Sequence, residues 1–103
     1  MLRKIITERA QAHMGEIKRF TKAQWGTVQS VKYLHEISNK INLLAQNPQT
    51  GIDRSGELGD GIRSYFVGSH TIYYRYEEKL LVVHAILHQS MTPLAHLTIN
   101  GSK

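Results

Sequence analysis

The chain has no cysteine, only two prolines and no long apolar run. Without cysteine there is no disulfide scaffold and no thiolate metal site, and a reducing compartment is acceptable. The longest apolar stretches are a few residues, far short of the roughly 20 that a membrane-crossing helix needs. Met1 to Ile6 is short and soon broken by Arg3 and Lys4, which does not suit a signal peptide. These absences predict a soluble, cytoplasmic protein with no membrane association. What is present is ordinary for a globular domain: 103 residues, 41% hydrophobic, enough for one domain and not two. Thirteen Lys and Arg against eight Asp and Glu give a formal charge of +5, which favours solubility and acidic partners without naming one.

Periodicity supplies the secondary structure. Residues 2–6 are short and partly β-branched, as in an edge strand. Thr7 suits an N-cap, with Glu8 beside the positive end of a helix. Ala10, Met14, Ile17 and Phe20 then form one helical stripe over residues 8–24, weakened somewhat at Gly15, with Trp25-Gly26 closing it. Thr27 is read as a second N-cap. Val28, Val31, Leu34, Ile37, Ile41, Leu44 and Ala45 predict a second helix over 27–46, ended by Asn47-Pro48. With so short a link, the two helices must form an antiparallel hairpin.

Residues 49–61, punctuated by Gly51, Gly56, Gly59 and Gly61, read as a loop. Residues 62–87 then predict a three-stranded meander, with turns at Gly68-Ser69 and Glu77-Glu78-Lys79. The near-continuous apolar run from Leu80 to Leu87 suggests a strand buried on both faces. Residues 93–97 suit a last helical turn, and 98–103 a frayed tail. The expected class is α+β: an N-terminal strand and an antiparallel helical hairpin packed on an antiparallel β-sheet.

Two stretches carry a family likeness. They are AQNPQTGID after the second helix, and LGDGIRSYFVGSHTIYYRYEEKLLVVHAILHQSMTP over the meander, with Trp25-Gly26 at the hairpin turn. In this ordered series the chain resembles the ParE branch of the RelE/ParE toxin superfamily from about Ile5 to Leu97. The resemblance implies a toxin encoded beside a ParD-like antitoxin whose acidic C-terminal segment, disordered alone, folds onto it. ParE-like members are linked to inhibition of DNA gyrase. RelE-like members, with the same fold, cut messenger RNA on the ribosome, so the fold alone does not choose between them.

Metal-free RNA cleavage needs positive charge at the phosphate and acid–base groups at the reacting oxygens. Here Ser69-His70-Thr71 stands where those nucleases typically place Arg, and His88-Gln89-Ser90-Met91 follows the third strand without their basic cluster. A nuclease reading would have to use His88 as acid–base and Arg63 and Arg75 as phosphate contacts. His84 and His88 share a strand face by spacing, and with His70 two readings stand. One is an acid–base or metal cluster; the other is a core-bonded His84 with His88 at the strand end. Tyr65, Tyr73, Tyr74 and Tyr76 suit strand packing more than base stacking, and no sequence-specific nucleic-acid binding is expected. No metal and no cofactor are expected.

The reading that follows is a toxin without catalytic residues. Ile17, Phe20, Trp25, Arg63 and Arg75 are its candidate antitoxin contacts, although the three apolar ones suit the core better. His88, Gln89, Ser90 and Met91 are the candidate target surface.

Overall fold

A computed structural model describes residues 1–97; the tail expected over 98–103 lies outside the described residues. The chain opens with β1 (Arg3–Ile6), followed by α1 (Glu8–Trp25) and α2 (Thr27–Gln46). A 3-10 turn (Pro48–Thr50), β2 (Ile52–Asp53) and α3 (Ser55–Leu58) lead to the meander β3 (Arg63–Val67), β4 (His70–Glu77) and β5 (Leu80–His88), and α4 (Pro93–His96) follows. The five strands are ordered β1-β5-β4-β3-β2. β1 runs parallel to β5 at one edge, and the remaining pairs are antiparallel.

Thr7 caps α1: its side chain accepts the Ala10 N–H at 3.1 Å. One residue, Gly26, joins the two helices at φ 90°, a value that favours glycine. Its N–H donates to the Lys22 carbonyl and its carbonyl accepts from Ser30 N–H, so it closes α1 and opens α2 together. Gly26, not Thr27, is therefore the N-cap of α2, because a one-residue link leaves no room for a separate cap.

The hairpin covers one face of the sheet. Ala10 and Ile17 from α1, with Ile37, Ile41, Leu44 and Ala45 from α2, pack against Val67, Ile72, Tyr74, Leu81, Val83 and Ile86. The sequence stripe overstates this burial at the start of α2, where Val28 is 73% and Val31 45% exposed. Ser30 is buried there instead, its hydroxyl 2.7 Å from that of Thr21. Two polar side chains satisfy each other where the apolar pattern pointed elsewhere.

Residues 49–61 are more ordered than a loop. β2 pairs with β3, and Arg54 N–H donates to the Ile62 carbonyl at 2.7 Å. Asp53 accepts Ser55 N–H at 2.8 Å at the start of α3. Leu58 of α3 joins Ile62, Tyr73, Ala85 and Leu87 in a second, smaller cluster, with Leu97 packed against it. β5 is buried on both faces only in part, its two-sided burial confined to Ala85–Leu87. The smaller cluster covers the second face only there, where a bulge also shifts the register. Tyr73 pairs with Ala85 and Tyr74 with Val83, which leaves His84 as the extra residue.

Candidate functional site

A groove of about 400 Å³ opens between α1 and the end of the sheet. From α1 it takes His13, Glu16, Ile17 and Phe20, which helical spacing places on one stripe. From the strands it takes His70, Ile86 and His88; His70 and His88 are directly paired across β4 and β5. Ser90 and Met91, in the turn that leaves β5, form the last wall. Met91 N–H donates to the His88 carbonyl at 2.9 Å and closes that turn.

Apolar floor and imidazole rim are both fixed by hydrogen bonds. His13 Nδ1 accepts the Ile86 N–H at 3.2 Å. His88 Nδ1 accepts the Ser90 N–H at 3.1 Å and lies 2.8 Å from the Ser90 hydroxyl. His70 is 9% exposed, and its Nδ1 stands 2.7 Å from the Tyr33 hydroxyl. Burial, and then the charge of His88, push the His70 imidazole down to about 4, so it is neutral near pH 7. Burial raises the Tyr33 phenol, which keeps its proton to donate.

The groove brings together residues expected on two separate surfaces. Ile17 is buried in its floor and Phe20, 57% exposed, stands on its rim, opposite a wall that carries His88, Ser90 and Met91. Gln89 does not line it; its N–H donates to the Ser69 carbonyl at 2.8 Å. Trp25 is 56% exposed at the hairpin tip, its ring edge-on to Tyr33 with centroids 6.2 Å apart. Of the three apolar candidates, only Ile17 is core.

The arginines are elsewhere. Arg63 pairs with Tyr74, the neighbour of Arg75 on β4, so the two arginines point to opposite faces of the sheet. Arg63 donates to the Gly51 carbonyl at 2.7 Å and lies over the Tyr76 ring at 5.7 Å. Arg75 donates to the Asp60 carbonyl at 3.4 Å. His88 pairs with His70, four residues along β4 from Tyr74, which is about 13 Å of strand. Arg63, Arg75 and His88 therefore do not converge on a single phosphate.

His84 departs from its expected hydrogen-bonded place. Its Nε2 is buried without a partner, and burial, then the charges of Arg75 and Arg9, lower its pKa. The bulge takes it out of the even-spaced face that a regular strand would share with His88. Among the described residues, no three His, Cys, Asp or Glu side chains are grouped as metal ligands would be. Tyr33 and His13 were not apparent as site residues in the sequence. His13 and Glu16 do carry a signal, since helical spacing sets them beside Ile17 and Phe20 on α1. Tyr33 carries none, since its hydrogen-bond partners lie 34 to 37 residues away.

A solved structure described as a chromosomal ParDE TA system from P. aeruginosa shares the fold, with a TM-score of 0.73 at 20% identity over 85% of this chain and 96% of that one. Toxin ParE1 of Mycobacterium tuberculosis is 38% identical over 90 residues, 86% of this chain and 91% of that protein. Toxin ParE1 of Caulobacter vibrioides is 32% identical over 92 residues, 89% of this chain and 94% of that protein. Residues 5–93 match the family model described as ParE toxin of type II toxin-antitoxin system, parDE. The chain belongs to the ParE toxin family of type II toxin–antitoxin systems.

Proposed function

We propose that this toxin acts in the cytoplasm by binding DNA gyrase, without chemistry of its own, and that a cognate ParD-like antitoxin neutralises it. The groove carries the reading: it sets an exposed apolar anchor, Phe20, above the buried Ile17 and beside the turn bearing Ser90 and Met91. Such a cleft takes an apolar side chain and leaves polar contacts at its rim. A net charge of +5 favours an acidic antitoxin segment and speeds its encounter. The separation of Arg63, Arg75 and His88 weighs against the endoribonuclease alternative, because phosphoryl chemistry needs its cations and acid–base group around one phosphate.

Purified toxin mixed with reconstituted gyrase tests target binding by co-elution in gel filtration. Co-elution is expected, with loss of the complex on Met91→Glu. Separate elution at micromolar concentrations of both proteins would overturn the gyrase reading.

A further inference from the structure

Tyr33 lines no part of the groove, yet its contacts end on the residues that build one wall. Its hydroxyl accepts the Ser69 N–H at 3.0 Å and stands 2.7 Å from His70 Nδ1. The same hydroxyl lies 3.3 Å from the Val67 carbonyl as its donor, so it bonds at both ends of the turn and at the His70 ring. Gly68, at φ 57°, lies against the ring; a Cβ there would be 2.6 Å from Tyr33 Cε1.

From this turn two routes lead to the wall. Along the backbone, the Ser69 carbonyl accepts the Gln89 N–H at 2.8 Å. Through the rings, His70 lies edge-on to His88 with centroids 5.3 Å apart, and His88 Nδ1 holds the Ser90 N–H. Strand pairing ends at His88, so beyond it the wall depends on such single bonds. We infer that Tyr33 is a positioning residue: by fixing the 67–70 turn and the His70 ring, it sets where Ser90 and Met91 stand in the groove. The inference goes beyond the proposed target and antitoxin, and holds whatever occupies the groove.

The test is Tyr33→Phe in the full chain, followed by NMR of the free protein. The ring against Gly68 and Trp25 is kept and only the hydroxyl is lost. The His70 ring-nitrogen resonances should shift, and the Met91 methyl resonance should move. Amide exchange at Gln89 and Ser90 should quicken roughly tenfold, as for one lost hydrogen bond. Leu81 and Val83 in β5 should exchange as in the parent. Unchanged Gln89, Ser90 and Met91 signals would overturn the inference, and so would equal acceleration at Leu81 and Val83, which signals general loosening. His70→Asn gives a second test that does not depend on the first variant folding. It keeps a hydrogen-bonding group for Tyr33 but removes the ring facing His88, so Ser90 and Met91 should shift; unmoved signals would count against the ring route.

Discussion

The hydroxyl of Tyr74 occupies the space that a side chain at Gly51 would need. It donates to the Pro48 carbonyl at 2.7 Å and accepts the Gly51 N–H at 2.8 Å. A Cβ on residue 51 would stand 2.8 Å from Tyr74 Cε1 and 2.9 Å from the Ser64 carbonyl oxygen. This fit, with Tyr74 fully buried, ties the chain leaving α2 to the middle of the sheet. Gly51→Ala is expected to cost about 1–3 kcal/mol through overpacking. Tyr74→Phe should cost about 1–3 kcal/mol by leaving two backbone groups unpaired. Urea unfolding measures both; variants within about 0.5 kcal/mol of the parent would contradict this packing.

The buried hydroxyl pair Thr21–Ser30 ties the helices together near their turn. Ser30→Ala should destabilise by about 1 kcal/mol. In a Thr21→Val background the same change should cost less, by roughly 0.5 kcal/mol or more, since the partner is already gone. Equal costs in the two backgrounds would mean that the hydroxyls do not interact.

Ile17 and Phe20 are one helical turn apart but differ in role. Ile17→Ala removes core and should cost about 2–4 kcal/mol. Phe20→Ala removes an exposed rim residue and should leave stability within about 0.5 kcal/mol. The same Phe20 change should weaken binding of the cognate antitoxin roughly tenfold or more, as for an interface anchor, measured by calorimetric titration. Undiminished affinity would remove Phe20 from the antitoxin interface.

Much of this fold is legible in the sequence because its long elements obey simple periods. The apolar spacing of Ile37, Ile41 and Leu44, the Thr7 cap and the Gly68-Ser69 turn each fix local structure by short-range chemistry. What escapes depends on partners distant in sequence. β2 is two residues long and exists because Ile52 and Asp53 find Ser64 and Arg63. Ser30 is polar and gives no sign of burial without Thr21. Val28 and Val31 fit the stripe but are left exposed. The bulge at His84 shifts the face of every later residue in β5, which no alternation pattern reveals. The groove is half legible: Ile17, Phe20, His88, Ser90 and Met91 stand out in the sequence, His13, Glu16 and Ile86 do not, and only the fold sets the two groups side by side.

Stability should also report on the histidines. His70 titrates at about 4 in the folded protein, against roughly 6.5 for a free imidazole. Between those values the unfolded chain binds a proton that the folded chain refuses, so stability falls as pH drops from about 6.5 towards 4. Below that window both states are protonated and this contribution no longer changes. His84, displaced in the same direction by burial and by Arg75 and Arg9, adds with the same sign. Urea unfolding at several pH values across this window should show a shallower decline for His70→Asn than for the parent. Identical slopes would contradict the buried, neutral His70.

Binding to gyrase, and not RNA cleavage, is the activity proposed for this toxin. The most direct test is a gyrase supercoiling assay with the purified protein, run beside a ribosome-programmed messenger-RNA cleavage assay at the same concentrations. Inhibited supercoiling with intact RNA is the predicted result. Cleaved RNA with unaffected supercoiling would contradict it, and would mean that a minimal set of His and Arg residues is enough for catalysis.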